Sequence, residues 1–504
     1  MRGGLQKALD KWHGAGGNAA APAVLRADLS ASLVVFLVAL PLCVGVAMAS
    51  GVPAELGLVT GIVGGLVAGA LPGSSLQVSG PAAGLTVLVY EVVRTYGVEM
   101  LGVLVLAAGL VQLGLGALRL GRWFRAVSVA VVHGMLTGIG LVLVVGQVYA
   151  LGDVDAPATG PGRIAGLLAL PGRADPAALA LGGAVIAVLL LWPRWRRGAR
   201  LVPAPLVAVG LAALVTGVFG LPVRRVTVHG LADSVRVPQL TDVGRLVDVG
   251  VLGTVVALAL IASAESLFGA AAVDRLHRGP RTDYDRELMA QGVGNAVCGL
   301  LGALPMTAVI VRSAANVRAG ARTKVSRVLH GVWLLVFAAL LPGVLGMIPV
   351  AATAALLVHA GCRLVPVREL FALWRGHRGE LLVLAVTAGA IVVGNLFEGV
   401  LVGLGLAVAK TAWEAGHVHV ATEDHGEAGL VVRVVGHATF LRLPKLLDAL
   451  EALPADRRVR LELGGLRHVD HACAAALDGW AAARGQAPGA AVGRALTPTR
   501  RSTM

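Results

Sequence analysis

Long uninterrupted runs of apolar residues constrain this chain more than any other feature. Ser32–Met48, Leu101–Leu118, Val127–Leu151, Leu179–Trp192 and Leu381–Leu396 are each long enough to cross, or nearly cross, a bilayer. In hydrocarbon every backbone polar group must find a partner within the protein, so such runs become helices. Only 14% of the 504 residues are charged and 56% are hydrophobic, whereas a soluble domain carries about 25% charge. An ordinary cytosolic enzyme is excluded. Cutting the chain at polar or Pro/Gly-rich breaks gives about fourteen apolar segments, several too short to span alone, within roughly the first 415 residues. The fold class expected is an all-α polytopic membrane protein.

The net charge of +14 would suggest nucleic acid in a soluble chain, but basic residues also mark the cytoplasmic loops of membrane proteins. With the N-terminus inside and sides alternating, the inside segments hold twenty-four Lys and Arg residues. These are Arg2, Lys7, Lys11 and Arg26 of the tail, Arg119–Arg125, Arg194–Arg200, Arg275–Arg286, Arg312–Arg327 and Arg363–Arg378. The outside loops hold seven, from Arg94 to Arg245. This asymmetry predicts an even number of crossings with both termini cytoplasmic, and no nucleic-acid partner. Trp123, Trp192, Trp195, Trp374 and Trp413 fall at the inner ends, where indole rings anchor at the interface. Residues 1–29 read as a short tail without a cleavable signal, carrying a surface helix around Leu5–Trp12. The four cysteines are scattered, which argues against a disulfide framework or a zinc site.

Two places do not suit a simple helix bundle. Leu71-Pro72-Gly73-Ser74-Ser75-Leu76-Gln77-Val78-Ser79-Gly80-Pro81 precedes the short apolar run Ala82–Val93, and Leu301-Gly302-Ala303-Leu304-Pro305-Met306-Thr307 precedes the shorter run Ala308–Val311. By segment count these are the third and tenth, the same place in two halves of seven. Interrupted segments at matching positions point to the binding site of an inverted-repeat transporter. Two half-helix N-termini facing each other present free N–H groups and positive dipole ends, which favour an anion. Glu265, deep in the run from Ala257 to Gly269, is the acid most firmly set in apolar sequence and a candidate coupling group. Arg312-Ser313 ends the second half-helix and either caps helix ends or holds Glu265. Lys410 and Glu414 read as an interfacial pair, Glu398 as a loop acid, and His133, His330 and His359 as packed histidines. No phosphate loop, nucleophile elbow or metal-binding helix occurs, so no enzyme, cofactor or metal is expected.

After Trp413 the composition turns soluble. Leu430–Gly436 and Val459–Leu463 alternate as strands, and Leu443–Leu453 and Ala472–Ala483 read as helices, giving a small β-β-α-β-α piece. The domain reading is a tail (1–29), a membrane domain (30–416), this piece (417–484) and a disordered end (485–504).

Several ordered stretches resemble the sulfate permease family of anion transporters over roughly Asp28–Arg484. They are Leu40-Pro41 with Gly51-Val52-Pro53-Ala54-Glu55-Leu56-Gly57-Leu58, then Gly80-Pro81-Ala82-Ala83-Gly84, then Asp285 to Asn295, then Pro305 to Arg312-Ser313 with Asn316 and Gly320-Ala321-Arg322-Thr323. The resemblance implies fourteen segments in two inverted repeats, core and gate domains, a cytoplasmic STAS domain, and secondary transport or exchange of small anions, often by a homodimer in the cell membrane. Carried over, the anion lies between the N-termini at Ala82-Ala83 and Thr307-Ala308, with Glu265 at the acidic position of the eighth segment. Arg312 and Ser313 stand beside it as gating candidates. Three departures matter. Leu42 follows Pro41 where sulfate-type members carry Gln, and the first segment looks closer to the bicarbonate branch. That branch carries Asp and Thr where this chain has Glu265 and Gly269, which favours proton coupling or uncoupled exchange over sodium. The STAS-like piece is short and reads Asp470-His471-Ala472 where a phosphorylatable residue is common. The substrate expected is sulfate, bicarbonate or a small dicarboxylate, the alternatives being a nucleobase transporter or a membrane-anchored scaffold.

Overall fold

The computed structural model describes residues 21–122, 128–157, 160–195, 202–228, 230–239, 244–394, 396–426, 429–439, 442–454 and 457–484. The helix expected around Leu5–Trp12, Trp123, Arg125, Arg196, Arg197, Arg200 and the final twenty residues lie outside these. The chain divides into two compact units, Met1–Gly403 and Leu404–Met504.

The first unit is helical. Its principal helices are α1 (Ala21–Ala49), α2 (Ala54–Val63), α3 (Thr86–Tyr96), α4 (Val98–Ala117), α5 (Val129–Leu151), α6 (Pro176–Leu191) and α7 (Ala204–Val218). They continue with α8 (Val249–Val273), α9 (Tyr284–Leu300), α10 (Ile310–Arg318), α11 (Val325–Leu340), α12 (Val350–Leu364), α13 (Val367–Gly376) and α14 (Arg378–Val393), and α15 (Leu396–Ala415) runs across the division at Gly403. Among the described residues six helical stretches are long and apolar enough to cross a membrane: Pro22–Ala49, Val98–Ala117, Val129–Leu151, Pro176–Arg194, Val249–Val273 and Val350–Gly376. Three shorter apolar helices, Ala54–Ala68, Ala204–Val218 and Val325–Leu340, add to these. Two differences from the sequence reading follow local physics. Helix α1 starts within the segment expected as tail, because Ala21–Asp28 has no breaker after Pro22. Glu398 lies in the first turn of α15 rather than in a loop, where a carboxylate complements the helix dipole.

Glycine spacing sets the packing. Gly102, Gly109 and Gly116 recur every seven residues along α4 and meet Gly299, Gly292 and Met289 of α9. A Cβ on Gly109 would lie 2.5 Å from the Ala296 amide nitrogen, and one on Gly299 2.2 Å from that of Leu106. Backbones this close give dense van der Waals contact, the main attraction between helices when lipid removes the hydrophobic drive. Gly140 of α5 and Gly361 of α12 do the same, while Gly134 and Gly138 receive Thr387 and Ile391 of α14. One apolar cluster joins α2, α3, α4 and α8, and another joins α1, α6, α7, α11 and α12.

Two extended stretches interrupt this bundle. Strands β1 (Ser79–Pro81) and β2 (Met306–Ala308) pair antiparallel, with Gly80 opposite Thr307.

The second unit contains a three-stranded sheet in the order β3-β4-β5. Strands β3 (Val418–Asp424) and β4 (Leu430–Ala438) are antiparallel, and β5 (Val459–Val469) runs parallel to β4. Helix α16 (Leu443–Glu451) makes the crossover and α17 (His471–Ala483) follows β5. Val432, Val434, Leu446, Leu450, Leu463 and Leu477 form its core. The β-β-α-β-α order agrees with the sequence reading, in which β4, α16, β5 and α17 had residues and β3 did not. Asp470 caps α17 by accepting from the Cys473 amide at 2.9 Å, and burial pushes the Cys473 thiol up to about 12. Lys410 and Glu414 form the expected pair at 3.0 Å.

Candidate functional site

Non-helical backbone at membrane depth survives only where protein or a wet cavity satisfies it. Pro72, Gly73, Pro81 and Pro305 deny these stretches a helix, and a set of buried polar side chains supplies the missing partners. The Asn295 amide spans β2, accepting from the Met306 N–H at 2.7 Å and donating to its carbonyl at 3.0 Å. It also donates to Gln112 at 2.7 Å, which in turn donates to Ser263 of α8 at 3.2 Å. On the β1 side, Gln291 donates to Ser79 and Gln77 donates to the Ser266 carbonyl. Asn316 donates to the Leu76 carbonyl, and Arg327 reaches those of Leu71 and Gln77. Glu287 accepts from Gln291 and from the Ser74 N–H. Thr60 of α2 donates to the Leu304 carbonyl at 3.1 Å.

Beyond each strand a helix begins with no side-chain cap. Ala82 is extended and leads into a 3₁₀ turn, Ala83–Leu85, then α3. Val309 is extended and leads into α10. The first N–H groups of a helix have no intrahelical acceptor. Both sets border a cavity of about 240 Å³. Its wall takes Ala82, Ala83 and Gly84 from the first arm and Thr307, Ala308 and Val309 from the second. Leu42, Glu265 and Phe268 also line it, with His359 and Arg363 of α12. All four residues read from sequence as anion contacts therefore line one cavity, but the Thr307 hydroxyl donates to Glu265 and the Ala308 N–H to Ser266 Oγ at 3.3 Å, and Leu42 puts an apolar side chain where a polar one was weighed.

Glu265 sits between the two arms. Its Oε2 accepts from the Thr307 hydroxyl at 3.1 Å. Its Oε1 lies so close to Gly84 that a Cβ there would be 1.6 Å away. Gly269, one turn on, lets β2 press against α8, since its Cβ would meet Ala308 at 3.2 Å.

Arg312 and Ser313 lie in the first turn of α10 rather than at the end of the half-helix, because the helix continues to Arg318. Arg312 is 1% exposed and turned towards Gly80, with its Nη1 2.2 Å from where a Gly80 Cβ would be. Its Nε and Nη1 have no hydrogen-bond partner among the described residues. The ion pair with Glu265 weighed from sequence is not formed: from α8 the Glu265 carboxylate reaches Gly84 and Thr307, while from α10 the Arg312 guanidinium turns to Gly80. Ser313 is fully buried, donates to the Val309 carbonyl at 2.8 Å and accepts from the Val78 N–H at 2.9 Å. It ties the second arm to the first. His330 is buried with Nδ1 at 3.2 Å from the Arg327 carbonyl, as a packed histidine should be, whereas His359 faces the cavity.

Sequence reasoning did not single out Asn295, Gln291, Gln77, Gln112 or Arg327 as site-building groups. A signal existed in polar side chains on otherwise apolar segments. A second cavity of about 650 Å³ shares Leu136, Phe268 and Ile310 with the first and is lined by His133, Asp274, Arg275 and Arg281.

This geometry has counterparts. A profile of the sulfate permease family matches residues 25–387. YvdB of Bacillus subtilis is 28% identical over 387 residues, 75% of this chain and 72% of YvdB. The bicarbonate transporter BicA of Synechocystis sp. is 28% identical over 77% of this chain and 69% of its own length. The murine Solute Carrier 26 family member A9 anion transporter, solved in the inward-facing state, superposes with a TM-score of 0.74 at 16% identity, covering 91% of this chain and 83% of that one. With a family match across most of its length, this chain is a member of the sulfate permease family.

Proposed function

We infer that the chain is a multi-pass secondary transporter of small inorganic anions, with sulfate and bicarbonate as the substrates to test first. Family membership and the relatives' names support anion transport over a nucleobase carrier or a scaffold. The observation that carries the mechanism is the pair of uncapped helix N-termini bordering one cavity. Backbone N–H groups of Ala83, Gly84 and Ile310 would hold the anion, aided by both helix dipoles.

Glu265 supplies the coupling in this reading. An anion at Gly84 would stand within a few ångströms of the carboxylate, where like charges repel strongly in a low dielectric. Protonating Glu265 removes that repulsion, so a proton and an anion bind together, and sodium has no part. The wall of Leu136, Phe268 and Ile310 shared by the two cavities acts as the gate. Helices α1–α12, α14 and α15 count as the fourteen segments, with α3 and α10 third and tenth in two inverted repeats. The group α1–α4 with α8–α11 is the core and the rest the gate domain. The segment ahead of α1 is a cytoplasmic tail in this scheme, and the 417–484 piece is a shortened, cytoplasmic STAS-like domain, in a homodimer.

The deciding experiment reconstitutes the full chain in proteoliposomes and measures uptake of labelled sulfate and bicarbonate, with and without sodium and an inward proton gradient. Uptake driven by protons and insensitive to sodium is expected. Sodium-stimulated bicarbonate uptake would overturn the coupling assignment, and no uptake of either anion would overturn the transport assignment to these substrates.

A further inference from the structure

Helix α13 differs from every other long helix of the first unit. None of its ten residues is buried. Val367, Phe371 and Trp374 are 54%, 61% and 64% exposed, and at about 100° per residue they share one stripe with Leu370. Arg368 and Arg375 lie seven positions apart, so both fall along one edge of that stripe. Glu369, the single acid of the helix, points roughly 100° further round. Neither arginine has an acidic partner within ion-pair distance among the described residues.

The position of α13 supplies the occupant. It is joined to α12 at one end and α14 at the other, and both of these pack along α5, a clear membrane span. Two helices laid along one span must be linked at the level of the membrane surface. A short helix there, with aromatic and aliphatic side chains on one face and arginines at the edge, matches a segment lying in the interface. Arginine stems follow the apolar face while their heads reach the phosphate layer.

We propose that α13 is a docking surface for the headgroups of anionic phospholipids, held by Arg368 and Arg375, and that this contact regulates the anion cavity. The link is short. His359 and Arg363, on the last two turns of α12, line the cavity, and only Val365-Pro366 separates α12 from α13. Seating α13 on the membrane fixes where the end of α12 stands, and with it the basic side of the cavity. The regulatory half of this proposal rests on the transport reading; the lipid-binding half does not.

The test uses the full-length chain and its Arg368→Gln/Arg375→Gln variant, both exposed substitutions. Binding of labelled phosphatidylglycerol to the purified protein in neutral micelles is measured first, with free glycerol phosphate as competitor. The expected result is saturable binding that the variant weakens about 30-fold, from about fivefold per arginine, and that free glycerol phosphate does not displace. Equal binding by the two proteins, or displacement by the free phosphate, would overturn the headgroup site. Uptake is then compared in pure phosphatidylcholine and in a mixture with phosphatidylglycerol. Several-fold stimulation by the anionic lipid, absent in the variant, is expected. Equal stimulation in both would overturn the regulatory link, while absent uptake together with intact lipid binding would indict the transport reading instead.

Discussion

The two arms that meet at the cavity are built alike in backbone and unlike in chemistry. Each is an extended stretch ending in a helix without a side-chain cap. The first, through Gly80-Pro81-Ala82-Ala83-Gly84, offers the cavity no polar side chain, and its glycine leaves room for the Glu265 carboxylate. The second, through Met306-Thr307-Ala308, offers the Thr307 hydroxyl to that same carboxylate. One arm makes space and the other makes a hydrogen bond. The acid held between them touches both.

Adding volume to the first arm should break this arrangement most severely. Gly84→Val places carbon inside the radius of Glu265 Oε1, and anion uptake should fall by more than about 100-fold even at normal expression, since well-packed sites do not absorb an overlap of this size. Wild-type uptake by this variant would mean that Glu265 does not sit against the first arm.

Support for the arms should differ next. Asn295→Leu removes three hydrogen bonds and orphans both polar groups of Met306, at a cost of about 2–4 kcal/mol. Gln77→Leu removes one side-chain bond, for about 1 kcal/mol. Thermal unfolding in detergent should rank them in that order, and the reverse order would show that β1 rather than β2 is the more dependent strand.

Thr307→Val keeps shape and deletes the donor. Uptake should drop about tenfold, consistent with one hydrogen bond to a charged group, and its dependence on external pH should change, while Thr307→Ser keeps both. An unchanged pH profile would detach Thr307 from the coupling step.

The smallest effect lies outside the arms and serves as their control. Arg457 donates to both oxygens of Asp424, at 2.8 and 2.9 Å, and holds this carboxyl below its ordinary value of 3.8. A depressed carboxyl stabilises the fold above that value, and the contribution fades as pH falls through the lowered one. Asp424→Asn should slightly increase amide exchange in the β3–β4 hairpin near neutral pH and leave uptake alone. An exchange difference that grew in acid would contradict the pairing.

Much of the fold was legible because lipid is a demanding solvent. A run such as Val129–Leu151 has no stable state but a helix, and the alternation in Leu430–Gly436 needs one buried face. The interruptions at Gly80-Pro81 and Pro305 were legible for the same reason. Less legible were the edges: α1 reaches back to Ala21 and Glu398 joins a helix, since nothing local distinguishes the last turn from the loop. The role of Arg312 was open in the sequence, because pairing with Glu265 depends on how α10 and α8 are turned relative to each other. The scaffold of Asn295, Gln291 and Arg327 was missed because its partners lie far away in sequence.

The sequence by itself therefore determined a membrane fold with two broken segments and an acid among apolar neighbours, since burial without water leaves few choices. Only the tertiary structure decided that Gly84 and Thr307 close on Glu265 from two sides, that Arg312 turns away, and that His359 joins the cavity. Those outcomes depend on strand register and on helix approaches set by distant glycines, and no local preference encodes them.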